Sequence, residues 1–325
     1  MSHTKLDLQD PGPVESLPFV LPADAVPDRL DKVLARLIPE HSRSRLQAWI
    51  EAGHVWVAGR PGRIRTRVGP GDCIQVWPQA APEDLAYVPE DIAFEVVAES
   101  PDWLVIDKPA GLVTHPGAGN WQGTLLNGLL FRYPALAQVA RAGIVHRLDK
   151  DTSGLMVVAR NETAQTHLVR QLQARTVHRE YCALVHGRLA GSGRVQAAIG
   201  RDPRVPVRMS VIRPVAPRPA LTAYRALAQG TIGGEAVSHV QCRLETGRTH
   251  QIRVHLASLQ HPLLGDILYG GRPLAGARRQ MLHARALGFI DPRTGVEQIF
   301  CRLPPEDYQQ VCAAIEWQEQ GRGTD

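Results

Sequence analysis

The stretch from Ile144 to Ala159 constrains the fold of this chain more than any other segment. It reads Ile-Val-His-Arg-Leu-Asp-Lys-Asp-Thr-Ser-Gly-Leu-Met-Val-Val-Ala, so a dense polar run lies between two apolar, β-branched runs. Such apolar runs are typical of buried strands, and Gly154 supplies the backbone freedom that a short loop requires. The pattern predicts strand, loop and strand, with the carboxylate of Asp149 at a sheet edge or in a cleft. A turn that caps its own backbone is the structural alternative.

Charge and cysteine content narrow the class of protein. The 325 residues carry a formal net charge of +5, and the excess comes mostly from arginine, which favours a nucleic-acid partner without requiring one. The five cysteines include no Cys-x-x-Cys pair and are expected to be reduced thiols. No leader-like segment and no long apolar run is evident, so no membrane association is expected and the cytoplasm is the predicted location. With no His-Glu-x-x-His pattern, no metal site is expected.

The first 78 residues predict a small module of two helices and short strands. Residues 1–17 show no periodicity and are expected to form a disordered tail, so the module spans 18–78. Pro39 ends the first helix, Ser42 is a good N-cap for the second, and Gly53 stands where a glycine commonly ends a helix. The first helix is predicted from apolar residues at helical spacing, which are Leu30, Val33, Leu34, Leu37 and Ile38.

The rest of the chain predicts a larger α+β domain. Residues 79–91 contain two prolines and four acidic residues and are interpreted as a linker, which leaves a domain at 92–318 and a C-terminal tail at 319–325. Predicted strands outnumber predicted helices and do not alternate regularly with them, and this favours α+β over a doubly wound sheet. The predicted strands are 94–97, 103–107, 181–185 and 240–244, and the predicted helices are 124–131 and one capped by Asn161.

Four blocks resemble the RluA-type pseudouridine synthases, enzymes that isomerise uridine to pseudouridine in RNA. The blocks are 142–155, 115–120, 245–255, and 264–266 with 269–271. They extend the resemblance over roughly residues 92–318, and the 115–120 block points to the subgroup that acts on large-subunit ribosomal RNA. The resemblance implies the pseudouridine synthase fold, a mixed and mostly antiparallel sheet with the active-site cleft running across it.

The chemistry of this isomerisation needs few groups. The bond between C1′ of the ribose and N1 of uracil must break, the base must turn while bound, and a bond must form from C1′ to C5. Because no redox step or phosphate energy is involved, no cofactor is expected. One carboxylate near C1′ suffices, either as a nucleophile on the sugar or as a base at C2′. The resemblance places the family's essential aspartate at Asp149 and leaves both roles open.

Two further residues are assigned catalytic roles by the resemblance. Arg253 would be the cation that keeps Asp149 ionised in a partly dry cleft. Tyr181 would stack on the uracil, and its hydroxyl would take part in removing the proton from C5. Without the resemblance, Arg253 would be interpreted as a surface residue on a helix at 249–256, and Tyr181 as a core residue.

Other residues are predicted to contact RNA. A base inside folded RNA must leave its stack to be reached, which costs a few kcal/mol, and Arg147 is expected to fill the gap or contact the flanking nucleotide. His146 would either stack or serve as a hydrogen-bonded structural residue. Arg248, His250 and Gln251 are expected to shape the pocket or touch phosphate, and Leu282 resembles the family's apolar contact to the base.

The N-terminal module resembles the S4 RNA-binding domain. Its second helix opens on Ser42-Arg43-Ser44-Arg45, where free backbone N–H groups and the helix dipole favour a phosphate. Together with arginines of the following hairpin these residues predict a phosphate-binding face. An ordinary solvated helix and loop is the alternative. The arginines concerned are Arg43 and Arg45 in the helix and Arg60, Arg63, Arg65 and Arg67 in the hairpin.

Several functional alternatives stay open. The partner is expected to be large-subunit ribosomal RNA or a pre-ribosomal particle, with transfer RNA as the alternative substrate. A nucleoside or glycoside hydrolase is a second alternative, because Asp149 and Asp151 would share one face if the strand continued through them. The third is a non-catalytic S4-type protein that binds RNA or assists ribosome assembly. A monomer is expected, since no heptad or unexplained apolar stripe is evident.

Overall fold

The computed structural model describes residues 16–79, 82–117 and 119–318. The chain divides into two compact units, Met1–Pro82 and Glu83–Asp325. Nearly all of the tail predicted at 1–17, and all of the tail predicted at 319–325, lie outside the described residues. Within the part of the chain that is described, no helix is long and apolar enough to cross a membrane.

The smaller unit combines two helices with short strands. Its elements are β1 (Leu17–Val20), β2 (Asp28–Arg29), α1 (Leu30–Leu37), α2 (Arg43–Glu51), β3 (Val55–Val57), β4 (Arg60–Pro61), β5 (Arg67–Val68) and β6 (Cys73–Val76). Four strands form an antiparallel sheet in the order β1-β6-β3-β4, and β2 pairs with β5.

The sequence signals for the two helices are confirmed. Leu30 and Leu34 of α1 and Leu46 of α2 are fully buried in one apolar cluster, as the helical spacing predicts. The Ser42 hydroxyl accepts a hydrogen bond from the backbone N–H of Arg45 at 3.4 Å and caps α2. Gly53 follows the end of α2 with a φ of 83°, a conformation that glycine adopts without strain.

The larger unit contains thirteen strands and four helices among its described residues. The strands are β7 (Glu95–Glu99), β8 (Trp103–Lys108), β9 (Ser153–Ala159), β10 (His178–His186), β11 (Ser192–Gln196), β12 (Ile199–Arg201), β13 (Met209–Ser210), β14 (Val215–Arg218), β15 (Leu221–Ile232), β16 (Glu235–Leu244), β17 (Leu282–Ile290), β18 (Glu297–Cys301) and β19 (Glu316–Trp317). The helices are α3 (Leu125–Arg132), α4 (Glu162–Ala174), α5 (Gln251–Ser258) and α6 (Glu306–Ala313).

One large sheet organises this unit. Eight strands follow the order β11-β15-β16-β10-β17-β9-β8-β7, while β18 pairs with β17 and β19 pairs with β15. The pairing of β17 with β9 is parallel, at His283 with Ser153 and Ala284 with Gly154, and the other strand pairs of this sheet are antiparallel. The predicted α+β class and the mixed, mostly antiparallel sheet are therefore confirmed.

The Asp149 segment differs from the predicted strand-loop-strand. Ile144 makes only an isolated bridge to Val158, so no strand forms there. The backbone N–H of Thr152 donates to the carbonyl of Asp149 at 3.1 Å, which makes the polar run a compact turn leading into β9. Because the strand does not continue through this turn, the premise of an Asp149–Asp151 pair on one strand face was wrong.

Gly154 has a different role from the one predicted. It lies inside β9 with a φ of 118°, and a Cβ atom placed on it would meet the Ala284 carbonyl oxygen at 2.4 Å. Glycine is therefore required for the close approach of β9 to β17, not for freedom in the loop.

The segment interpreted as a linker is bonded to the larger unit over its second half. Residues Pro82–Tyr87 form a 3-10 helix. The side-chain amide of Asn127 on α3 donates to the carbonyl of Val88 at 2.8 Å, and the N–H of Glu90 donates to the carbonyl of Asn127 at 3.1 Å. Because these bonds fix it against α3, the second half of 79–91 is not a free linker.

Candidate active site

Asp149 lies where two cavities adjoin, beside the central strands of the large sheet. The larger cavity, about 830 Å³, is lined by Asp149 and by Tyr181 of β10. The smaller, about 610 Å³, is lined by Asp149, Arg253 and Asp266. Four residues line both cavities, namely Val113, Asn120, Arg147 and Asp149. Asp149 is thus reachable from a cleft wide enough for a nucleotide.

A buried lysine fixes the backbone beside Asp149. Lys108, at the end of β8, is fully buried, and its Nζ donates to the carbonyls of Pro109, Leu112 and Lys150 at 2.7, 2.8 and 3.0 Å. Three donated bonds need the protonated ammonium. Burial lowers the pKa of Lys108 to about 7, against the opposing effect of nearby Asp149. The bond to Lys150 ties the turn at residues 149–152, the Asp149 turn, to the sheet.

Two more side chains hold the same turn from either side. The Thr114 hydroxyl donates to the carbonyl of Leu148 at 2.8 Å. Arg279 Nη1 donates to the carbonyl of Asp151 at 2.9 Å. The backbone on both sides of Asp149 is therefore anchored, which limits the positions its carboxylate can reach.

Arg253 connects Asp149 to a second aspartate. Its Nη1 lies 3.2 Å from Asp149 Oδ2, and its Nε and Nη2 donate to the two oxygens of Asp266 at 2.7 and 2.8 Å. Only 7% of Arg253 is exposed, so the alternative of a surface residue was wrong. Burial opposes its charge, but the hydrogen bonds and charges of Asp266 and Asp149 outweigh burial and raise the pKa of Arg253. Asp149 therefore faces a permanent cation.

Tyr269 supports the face of this arginine. The guanidinium carbon of Arg253 lies 5.0 Å from the Tyr269 ring centroid. The Tyr269 hydroxyl accepts from the N–H of Met209 at 2.9 Å and lies 2.8 Å from His250 Nδ1. Burial raises the pKa of Tyr269 to about 12 and lowers the pKa of His250, so this hydrogen bond joins two neutral groups.

Tyr181 occupies the position that the sequence predicts for it beside Asp149. It lies on β10, is 5% exposed and lines the larger cavity. Burial raises the pKa of Tyr181, Arg179 opposes this rise and Asp149 adds to it. The hydroxyl is consequently protonated at neutral pH.

Three of the predicted RNA-contacting residues also line the larger cavity. Arg147 is exposed there, and Arg248 donates from Nε to the carbonyl of Pro219 at 3.1 Å. His146 Nε2 accepts from the N–H of Val157 at 3.1 Å. Burial lowers the pKa of His146 to about 3, so the ring is neutral and acts as a hydrogen-bonded structural residue.

Two predicted residues line neither cavity. Gln251 accepts from the N–H of Arg248 at 3.0 Å and the Thr246 hydroxyl at 2.8 Å, and donates to the carbonyl of Leu221 at 2.9 Å. Its buried amide shapes the turn before α5 that carries Arg248, in line with the first of its two predicted roles. Leu282 is 4% exposed and packs in the core cluster that includes Tyr181.

The helix that carries Arg253 is displaced from its predicted bounds. It was predicted at 249–256 and is observed as α5, Gln251–Ser258. His250 precedes it in the left-handed region, with a φ of 56°. This conformation points the chain so that His250 lines the smaller cavity.

The S4-type arginines of the smaller unit divide into two groups. Arg43 binds the fully buried Asp31 through Nε and Nη2 at 3.0 and 2.6 Å, so much of its charge neutralises that carboxylate. Arg45 donates to the carbonyl of Gln79 at 3.2 Å. The hairpin arginines, by contrast, are exposed; they are Arg60, Arg63, Arg65 and Arg67.

Asp149 is held by the buried Arg253 and shares an arginine-lined cleft with Tyr181, an arrangement suited to an enzyme that acts on an anionic polymer. Comparison with known proteins supplies the family. A model described as RNA pseudouridylate synthase matches residues 102–258, and the S4 domain model matches residues 28–74. The chain belongs to the pseudouridine synthase family, and it is an isomerase with an N-terminal S4 domain.

Relatives along almost the whole chain carry one name. A protein of Xanthomonas campestris pv. campestris named ribosomal large subunit pseudouridine synthase D is 49% identical over 91% of each chain. One of the same name from Neisseria meningitidis serogroup A is 44% identical over 91% of this chain and 81% of its own length. The solved structure of human RNA Pseudouridylate Synthase Domain Containing 1 is 29% identical, covers 74% of this chain and 91% of its own, and has a TM-score of 0.55.

Sequence reasoning missed several residues that build the site. Asp266 and Tyr269 belong to the fourth family-like block but received no role. Arg179 stands two residues before Tyr181, and the alternation of a strand puts both on one face. Lys108 ends β8 after the apolar run Trp103–Ile106, and a charge at the end of such a buried run is a usable signal.

Proposed function

We propose that this pseudouridine synthase modifies specific uridines of large-subunit ribosomal RNA, with Asp149 as the essential catalytic group. The observation that carries the catalytic assignment is the Asp149–Arg253 pair, 3.2 Å apart, with Asp149 open to a cleft of about 830 Å³. The extent of identity to relatives named for the large ribosomal subunit supports the substrate. RNA of the large subunit, or a particle containing it, is the proposed partner.

Asp149 would act on the ribose. Attack at C1′ and proton removal at C2′ both need an ionised carboxylate at a fixed position. Arg253 supplies the counter-charge, and the anchored Asp149 turn supplies the position. As the bond to N1 breaks, negative charge develops on the uracil, and the arginines of the cleft stabilise it.

Tyr181 would act on the base after it has turned. Once C5 is bonded to C1′, the C5 proton must leave and N1 must gain one, so atoms balance without a cofactor. A protonated hydroxyl can pass a proton on only by giving up its own, and we propose that Tyr181 relays the C5 proton in this way. Arg147, exposed at the junction of the cavities, would fill the gap left by the extruded base.

Other aspects of the proposal concern assembly and location. The S4 domain would bind RNA phosphate through its exposed hairpin arginines, Arg63 and Arg65 foremost. Independence from cofactor and metal, a monomeric state and a cytoplasmic location stay predictions. The described residues contain no group of three His, Cys, Asp or Glu side chains placed to hold a metal ion.

The substrate is tested by mapping the product. Purified protein is incubated, without added metal or nucleotide, with pseudouridine-free large-subunit ribosomal RNA, small-subunit ribosomal RNA or transfer RNA. Carbodiimide labelling and primer extension then locate pseudouridine. Stops confined to the large-subunit RNA are expected. Stops confined to transfer RNA would replace the proposed substrate, and no stops on any RNA would support a non-catalytic role.

A further inference from the structure

Arg179 is a buried cation with no hydrogen-bond or ion-pair partner in the part of the chain that the structure describes. It lies on β10, is 7% exposed, and its guanidinium makes no hydrogen bond or ion pair with any described residue. The Nε atom is itself buried and unpaired. A buried charge without a partner costs free energy, so such groups are normally paired or serve a ligand. Arg179 is therefore a candidate ligand-binding residue.

The position of Arg179 is next to the reacting base. Arg179 and Tyr181 both line the larger cavity that contains Asp149. Side chains two apart on a strand share a face and lie roughly 6–7 Å apart along it. The guanidinium also lies against Gly247, where a Cβ atom would meet Arg179 Nη1 at 2.7 Å. A group bound by Arg179 would thus sit about one nucleotide from the uracil on Tyr181.

The charges of the cavity wall identify the ligand as an anion. Asp149 is paired with Arg253, and Glu245 lies 4.0 Å from Arg175. These are the carboxylates that line the larger cavity, so neither compensates Arg179. Burial lowers the pKa of Arg179, yet a guanidinium stays protonated in proteins. A uracil carbonyl would leave that charge uncompensated, whereas a phosphate would neutralise it.

We propose that Arg179 anchors a phosphate subsite, which binds the RNA phosphodiester adjacent to the target uridine. The inference deepens the proposed function and rests on it, because it concerns the same cleft. The planar fork of the guanidinium suits two oxygens of one phosphate. Gly247 leaves the space in which the guanidinium lies, and its lack of a side chain keeps the subsite open.

The test pairs an altered arginine with an altered phosphate. The RNA is a short stem-loop from large-subunit ribosomal RNA around a uridine mapped as above, carrying one uncharged methylphosphonate at each linkage in turn. Arg179→Gln should raise KM on unmodified RNA on the order of tenfold or more, with a smaller change in kcat. At one linkage next to the uridine, the methylphosphonate should raise the KM of wild type by a similar factor and leave the KM of Arg179→Gln unchanged.

Controls separate this subsite from general charge and from folding. Arg170→Gln removes an exposed arginine of α4 outside the cavity and should leave the methylphosphonate profile unchanged. Gly247→Ala pushes the guanidinium aside without removing it, and should raise KM with the same linkage dependence. Thermal unfolding checks each variant, and Gly247→Ala carries the test if Arg179→Gln does not fold.

Two results would overturn the subsite. One is a KM for folded Arg179→Gln equal to that of wild type. The other is a methylphosphonate that, at every linkage, raises the KM of Arg179→Gln by the same factor as the KM of wild type. Arg179 would then be a structural residue. Turnover of the unmodified stem-loop by wild type separates these results from a failure of the ribosomal-RNA assignment.

Discussion

Arg253 lies between two aspartates and binds each of them with a different edge of its guanidinium. Two nitrogens bind Asp266 at 2.7 and 2.8 Å, which leaves Nη1 to face Asp149 at 3.2 Å. Asp266 is 2% exposed and Arg253 is 7% exposed, so the pair forms a rigid buried support for the more accessible Asp149. We infer that Asp266 is a positioning residue for the catalytic carboxylate.

Asp266→Asn should therefore impair the chemical step. The amide keeps the shape but loses the charge that orients Arg253, and small misplacements of catalytic groups cost on the order of 100-fold in rate. We expect a kcat 10- to 100-fold lower with an unchanged Kd for RNA, measured by single-turnover kinetics and filter binding. Asp102→Asn disturbs the Asp102–Arg293 pair, outside both cavities, and is the matched control. Equal rates for both variants would contradict the positioning role.

Lys108→Met should loosen the Asp149 turn. The change removes three hydrogen bonds to carbonyls from a fully buried site. Unpaired buried carbonyls and the lost ammonium should lower the free energy of unfolding by about 3 kcal/mol or more, and kcat should fall as well. Denaturant unfolding and single-turnover rates measure the two effects. Stability and rate both at wild-type level would show that Lys108 does not hold the turn.

Gly154→Ala should destabilise the larger unit by steric overlap. A Cβ at this position meets Ala284 backbone atoms at 2.4 to 2.8 Å, and the φ of 118° is unfavourable for alanine. We expect a loss of about 1–3 kcal/mol or more in the free energy of unfolding. Gly117→Ala is the matched control, since a Cβ there meets nothing within 4 Å and its φ is not positive. Equal unfolding midpoints for the two variants would contradict the close approach of β9 to β17.

Two histidines, His146 and the fully buried His283, should make the larger unit less stable in mild acid. Burial lowers the pKa of His146 to about 3 and that of His283 to about 4, from ordinary values near 6.5. Between pH 6.5 and 4 the unfolded chain binds more protons than the native one, so stability falls as the pH falls. His283→Gln should reduce this slope in thermal unfolding scans of the full chain. Identical slopes for variant and wild type would exclude a contribution from His283.

The hairpin of the S4 domain should contribute to the salt dependence of RNA binding. Each lost phosphate contact lowers the slope of log K against log salt by about 0.7 to 0.9. The double variant Arg63→Gln, Arg65→Gln should therefore flatten the slope by up to about 1.8. Arg36→Gln is the control, because Arg36 is already paired with Asp28 at 3.2 Å. A double variant with the wild-type slope would remove these residues from the RNA interface.

Local patterns in the sequence predicted much of the fold. Helical spacing located α1, and Ser42 and Gly53 located the ends of α2, because caps act within a few residues. The strand predicted before Asp149 does not form. Ile144 and Val145 pack in apolar clusters, and Ile144 makes only an isolated bridge. An apolar pair carries the same signal in either case.

The site was predictable only where the family resemblance marked it. Asp149 and Arg253 lie in family-like blocks and contact each other, and Tyr181, assigned by the resemblance outside those blocks, lines the larger cavity with Asp149. Gln251 lies in the same block as Arg253, yet its amide is consumed inside the fold, because neighbouring residues of one motif can serve structure or substrate. Lys108 is more than 40 positions from Lys150, whose carbonyl it binds, and no local pattern reports such a contact.

The most direct test of the central claim follows the proton at C5. RNA carrying tritium at C5 of uridine is mixed with excess enzyme, with wild type and Asp149→Asn compared at equal RNA occupancy. Wild type should release one tritium for each pseudouridine formed while the RNA mass, apart from that isotope exchange, stays constant. Asp149→Asn should bind equally and release none. Turnover by Asp149→Asn near the wild-type rate, or the appearance of free uracil, would contradict an Asp149-dependent isomerisation.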